Sequence, residues 1–120
     1  MIKSFRELQV WQKAHALVLA IYTASSKFPR EEQFGIIQQI RRAAYSIPAN
    51  IAEGCDRKHT KEFIQFLNVA KGSLSELEYF LLLSKDLGYI QQEIYLELLD
   101  SCKEVGKMLN GLINSLNTKL

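Results

Sequence analysis

Five cations, Arg41, Arg42, Arg57, Lys58 and Lys61, are the residues whose type and spacing first suggest chemistry. Arg57-Lys58-His59-x-Lys61 is a short basic run, and Arg41-Arg42 precedes it. Such groups neutralise phosphates and release counterions, which gives affinity for RNA or DNA without sequence preference. The plain alternative is a solvated, solubilising surface. A second pattern crosses the same segment. Arg42, Ser46, Asn50, Glu53 and Arg57 recur at four, four, three and four residues, so an unbroken helix carries them on one face. As a functional surface the stripe would meet a ligand or nucleic acid. As a structural one it is a hydrogen-bond network, with Arg42 paired to Glu53 or to Glu76 of the next segment, and Asn50 satisfying backbone opened by Pro48. The structural reading is preferred.

Catalysis has little to work with. A nucleophile needs an oriented base beside it, and the only histidines are His15 and His59. His15 shares a stripe with Trp11, Val18 and Tyr22 and reads as a hydrogen-bonded structural residue. His59 belongs to the basic run and reads as solvated, within reach of a phosphate. A di-iron bundle needs Glu-x-x-His on two helices, and the nearest pattern, Asp56-x-x-His59, falls in a connection. Gly54 and Gly72 are isolated and form no phosphate loop. Cys55 and Cys102 stand 47 positions apart and read as reduced thiols. No catalytic residue, metal or cofactor is expected, and the chain reads as a non-enzyme.

These groups must be positioned by one all-α domain. The 120 residues are 48% hydrophobic and 23% charged, the size and balance of a single globular unit, and two prolines with six glycines leave little turn punctuation for a β protein. The start lacks the apolar core of a signal peptide, and the most apolar stretch, Ala16 to Ala24, is too short to span a bilayer. A cytoplasmic protein with no membrane contact is expected.

Periodicity predicts helices at about 8–26, 32–55, 61–87 and 91–117, an antiparallel up-down-up-down four-helix bundle spanning residues 1–120. The first has Val10, Ala14, Leu17, Ile21 and Ala24 on one stripe and ends at Phe28-Pro29, after which Glu31-Glu32 suit the start of the second. The second has Ile36, Ile40, Ala43, Ala44, Ile47 and Ile51 in one arc. Its Pro48 predicts a kink near Ala44, or two shorter helices meeting there. Thr60 is the expected N-cap of the third, whose seam is Phe63, Leu67, Ala70, Leu74, Leu77 and Leu81, and Gly88 its left-handed stop. The fourth has Ile94, Leu98, Val105, Leu109, Leu112 and Leu116, with Gly106 and Gly111 either softening it or admitting a close neighbour.

Leu19, Ile64, Phe66, Tyr79, Phe80, Leu82 and Leu83 exceed what one small core absorbs and predict a homo-oligomer. Charge is also uneven. Residues 1 to 61 carry ten Lys and Arg against five Asp and Glu, and residues 62 to 120 carry five against eight, so the first half would present a positive field.

Phe5-Arg6-Glu7-Leu8-x-Val10-Trp11-Gln12-Lys13-Ala14-His15, Phe28-Pro29, Gln39-Ile40-Arg41-Arg42-Ala43-Ala44-x-Ser46-Ile47-Pro48-x-Asn50-Ile51-Ala52-Glu53-Gly54, Glu62-Phe63 and Gly72-Ser73-x-x-Glu76-Leu77-Glu78 together span nearly the whole chain. In these motifs the sequence resembles the four-helix-bundle family of 23S ribosomal RNA intervening-sequence proteins. The resemblance implies a bundle assembled as a homopentamer, in a bacterial family whose function is largely uncharacterised. A relative in the same superfamily, the accessory variability determinant of diversity-generating retroelements, is similar to a basic pentamer that binds nucleic acid and a reverse transcriptase. By that analogy Arg41, Arg42, Arg57, Lys58 and Lys61 would be the contacts. Two functions are therefore expected as alternatives: a homo-oligomeric scaffold that binds structured RNA or DNA, or an accessory module that holds a protein partner such as a polymerase.

Overall fold

The computed structural model describes residues 3–120. Four helices, α1 (Gln9–Ser25), α2 (Ile36–Cys55), α3 (Thr60–Asp86) and α4 (Gln92–Asn117), follow a short 3-10 turn at Phe5–Glu7. α1 and α3 each pack on α2 and α4, which leaves α1–α3 and α2–α4 as the diagonals of an up-down-up-down four-helix bundle. Short connections make each helix antiparallel to the next. The α1–α2 and α3–α4 loops therefore share one end, and the α2–α3 turn lies at the other with the Phe5–Glu7 turn and the end of α4.

Each buried stripe is set by helical spacing. The α2 arc Ile36, Ile40, Ala43, Ala44, Ile47 and Ile51 is buried throughout, as is Leu67, Ala70, Leu74, Leu77 and Leu81 on α3. On α4 the stripe is Leu98, Cys102, Val105, Leu109, Ile113 and Leu116. Cys102 fills the register position between Leu98 and Val105, and Ile113 replaces Leu112, which is only half-buried. Ile94 is exposed instead of buried and lines the cleft between α1 and α4.

The boundaries differ from the sequence reading in three places. Arg30–Glu32 forms a separate 3-10 turn, and α2 begins four residues later than expected, at Ile36. Glu32 stands before the helix, its Oε1 accepting from the Ile36 backbone N–H at 3.5 Å. His59, extended at φ −112° and ψ 135°, takes the N-cap position expected of Thr60, and it makes no side-chain cap bond. α2 runs unbroken through Pro48, so the two-helix alternative does not apply. Asn50 Nδ2 donates to the Ser46 carbonyl at 2.7 Å, not to the Ala44 carbonyl that Pro48 leaves without its donor.

The stop after α3 is as predicted. Gly88 has φ +81°, its N–H bonds the Lys85 carbonyl at 2.9 Å, and the Tyr89 N–H bonds that of Ser84 at 2.8 Å. This paired closure requires a left-handed residue. Tyr89 then ties the loops together: its ring lies 5.4 Å from Phe28, and its hydroxyl donates to Glu32 Oε2 at 2.7 Å. That bond, then burial and the Glu32 and Glu31 charges, raises the Tyr89 pKa.

The two α4 glycines differ. A Cβ on Gly106 would meet Leu74 Cδ2 at 3.3 Å, a close helix approach, whereas one on Gly111 would meet nothing within 4 Å. Gly111→Ala should therefore raise stability by about 0.5–1 kcal/mol. Gly88→Ala should lower it by about 1–2 kcal/mol through its left-handed backbone. Urea melts of both variants check the opposite signs. Among the described residues no helix is long and apolar enough to cross a membrane.

Candidate functional site

The five candidate cations do not form one cluster. Arg42 lies in the second turn of α2 and Arg57 two residues past its end, so the thirteen residues of helix from Arg42 to Cys55 alone hold them about 20 Å apart. Arg57, Lys58 and Lys61 gather at the α2–α3 turn, while Arg41 and Arg42 sit towards the opposite end.

Arg41 is committed to the fold. Its Nε donates to Ser25 Oγ at 2.8 Å, an Nη donates to the Tyr22 carbonyl at 3.4 Å, and the guanidinium lies 4.4 Å from the centre of the Tyr22 ring. Ser25 is buried and Tyr22 lies in the last turn of α1, so the cation closes the negative end of that helix. Nothing in the sequence marks Ser25 as its acceptor sixteen residues away. Arg42 points elsewhere, exposed, and among the described residues it joins no ion pair.

The polar stripe of α2 borders α3, since Arg57 lies 4.9 Å from the Phe66 ring centre and a Cβ on Gly54 would touch Phe66. It is not the internal network of the sequence reading. Arg42 does not pair with Glu53, because eleven residues of helix hold them about 16 Å apart, and exposed Glu76 pairs with neither. Two local contacts remain: Asn50 with the Ser46 carbonyl, and Glu53 with Arg57 at 3.8 Å across one turn.

At the α2–α3 turn Lys58, His59 and Lys61 are exposed, and among the described residues neither lysine is in an ion pair. They flank the start of the 27-residue α3, whose first N–H groups have no side-chain acceptor. The Phe5–Glu7 turn packs against α2, which brings Arg6 and Glu7 towards this end. Arg6, Arg57, Lys58 and Lys61 are matched in number there by Glu7, Glu53, Asp56 and Glu62, so the positive charge is local to the two exposed lysines.

His15, read as a hydrogen-bonded structural residue, is exposed and stacks on Trp11 with ring centres 4.9 Å apart. Among the described residues no three His, Cys, Asp or Glu side chains gather as a metal would require. Both thiols are free. Burial, then the Asp56 and Glu7 charges, raises the Cys55 pKa; burial, with Glu78 adding and Lys103 opposing, pushes Cys102 up to about 12. A buried thiol kept protonated is a poor nucleophile. Cys102 should therefore resist a disulfide reagent at pH 8 until the protein unfolds. Because its folded pKa exceeds the ordinary 9.0, the neutral thiol's stabilisation should fade as pH rises from about 9 towards 12. Reagent kinetics with and without urea check the first, and melts across that range the second.

The wider comparison decides the family. Residues 6–111 match the family model of the 23S rRNA-intervening sequence protein. The chain belongs to that family. The match includes all five candidate cations, the whole of α2 and α3, and the Gly88 stop. A crystal structure at 1.70 Å resolution, of a protein with unknown function from the S23 ribosomal protein family of Bacteroides thetaiotaomicron VPI-5482, is similar throughout. It is 30% identical, with a TM-score of 0.81 over 88% of this chain and 95% of that one. No match is found among the curated proteins. In this family member the motif from Gln39 to Gly54 forms most of α2, and Gly72 to Glu78 the middle of α3.

Proposed function

We propose that this intervening-sequence family member is a non-enzymatic, homo-oligomeric helical scaffold that binds structured RNA or DNA through its α2–α3 end. The observation that carries the reading is the exposure of Lys58 and Lys61, neither in an ion pair among the described residues, beside the uncapped start of α3. Cations and free backbone N–H groups both favour phosphate oxygens. One such end offers few charges and weak affinity. Subunits side by side in one orientation would repeat it along a rim, and avidity then multiplies the binding. The homopentamer implied by the family resemblance would present five copies.

The test is fluorescence anisotropy of labelled RNA and DNA hairpins titrated from low to physiological salt. Wild type should bind more weakly as salt rises, with each neutralised phosphate contributing about 0.9 to the logarithmic slope on a duplex. Lys58→Glu/Lys61→Glu should weaken binding at least about tenfold and flatten the slope. Affinity that is independent of salt, or a variant that binds like wild type, overturns the reading.

The cleft between α1 and α4 favours a second reading, a module that holds a protein partner. This space of about 570 Å³ is lined by Ala20, Ala24, Ile90, Ile94 and Leu98, with Lys27 and Glu97 at its edge. Grooves of this kind seat side chains of a partner helix. Lack of RNA and DNA binding at low salt would move the assignment there.

A further inference from the structure

Three rings at the start of α1 form a run that the α2–α3 cations do not explain. Phe5 and Trp11 have ring centres 4.9 Å apart at a tilt of 58°, and Trp11 and His15 have theirs 4.9 Å apart with planes only 7° from parallel. Phe5 and Trp11 are half-buried, and Trp11 packs on the core. His15 is different. It is exposed, so the core gains little from its ring, and because that ring is parallel to the indole its other face is turned away from Trp11. The run ends in an open planar surface.

The surroundings fix this surface and leave it uncovered. Ser4 Oγ accepts from the Arg6 N–H at 3.2 Å, and Gln12 Nε2 donates to the Arg6 carbonyl at 2.8 Å, which ties the Phe5–Glu7 turn to α1. Trp11 and His15 share a stripe of α1 with Tyr22, which meets Arg41, so the rings lie along the border with α2. α2 runs antiparallel, and seven and eleven residues beyond Arg41 it brings Pro48 and Ala52 level with His15 and Trp11. Neither side chain is long enough to cover the rings.

The run starts at the basic end of the bundle. The Phe5–Glu7 turn packs on α2, and Glu7 is close enough to Cys55 to act on its thiol. Lys58 follows Cys55 by three residues, at most about 11 Å of chain. Arg6 is exposed on the turn itself, 5.3 Å from the Phe5 ring centre and in no ion pair among the described residues. Rings beside unpaired cations suit a strand whose bases are free, since every base has a face to stack and every linkage a phosphate. A paired duplex offers its phosphates alone, because its bases are already stacked on one another.

We propose that this end takes an unpaired stretch of RNA or DNA, with a base stacked on the free face of His15 and the adjoining phosphates held by Arg6, Lys58 and Lys61. The inference rests on the nucleic-acid reading of the α2–α3 end and adds which part of a structured RNA or DNA it engages, a loop or flap and not a stem.

Trp11 is the only tryptophan, so its emission reports on the stack directly. The full chain is titrated at low salt with a labelled oligothymidine strand, the same strand without bases, and a blunt duplex. Wild type should bind the thymidine strand at least about fivefold more tightly than the abasic one, the effect of one stacked base, and only the thymidine strand should quench Trp11. His15→Ala should abolish that preference while leaving the abasic strand, the duplex and the thermal melt unaffected. His15→Phe, which keeps a ring, should restore it. Lys58→Glu/Lys61→Glu should weaken both strands alike. Equal affinity of wild type for the two strands, binding without a change in Trp11 emission, or a His15→Ala protein that still prefers bases or loses the duplex equally, overturns the stacking surface and leaves the phosphate contact standing. Absence of binding to all three probes overturns both.

Discussion

A Gly54→Ala variant is expected to melt about 8 °C below the wild-type protein, despite placing a better helix former in α2. Gly54 is buried where α2 and α3 meet, and a Cβ there would lie 2.7 Å from Phe66 Cβ and 2.9 Å from Phe63 Cδ1. Phe66 Cβ is fixed to the α3 backbone, so no rotamer change relieves the first contact and the helices must part. Overpacking of this severity costs about 3 kcal/mol. Alanine regains about 1 kcal/mol of helix propensity, leaving a loss of about 2 kcal/mol. Phe63→Leu in the variant should restore only a minor part, because it leaves the Phe66 contact untouched. Thermal and urea melts of Gly54→Ala, the double variant and Gly111→Ala provide the measurement. Equal stabilisation by alanine at positions 54 and 111 would show that the close approach is not what retains Gly54.

How far the sequence discloses this molecule depends on the range of each interaction. The helices follow from spacing within a few turns, and the isoleucine arc of α2 and the leucine seam of α3 were legible because burial repeats every three or four residues. Gly88 was legible for the same reason, its left-handed stop being a local event. The α4 seam was legible at Leu98, Val105, Leu109 and Leu116, but Cys102 was read only for its redox chemistry, Ile113 takes the place given to Leu112, and Ile94 is exposed. Long-range partners were not legible. Arg41 and Arg42 are neighbours in a basic pair, yet successive helical positions diverge by about 100°, which turns one towards Ser25 and leaves the other exposed. Tyr89 and Glu32 are 57 residues apart and meet only because two loops share an end of the bundle.

The basic residues separate into a structural and a functional set, and Arg41→Ala is the variant that should divide them most sharply. Its side chain makes two hydrogen bonds to α1, including one to the buried Ser25, and covers the Tyr22 ring. Charged hydrogen bonds contribute about 1.5–3 kcal/mol, and a partly exposed cation over an aromatic face about 0.5–1 kcal/mol. Arg41→Ala should therefore reduce stability by about 2 kcal/mol, since part of the guanidinium is already solvated. Ser25 retains one bond, to the Tyr22 carbonyl at 3.4 Å, so its hydroxyl is not left wholly without a partner. Arg41→Lys should recover less than half, because a single ammonium cannot reproduce the planar fork and the ring contact together. At a temperature where the variant is fully folded, its affinity for RNA and DNA hairpins should remain within about twofold of wild type, as Arg41 adds no free charge to the α2–α3 end. Lys58→Glu/Lys61→Glu should do the reverse, leaving the melt almost unchanged while binding and its salt slope collapse. Urea melts and anisotropy titrations on the same preparations measure both effects. A stable Arg41→Ala protein that no longer binds would place the phosphate contact on the α1–α2 face instead of the α2–α3 end.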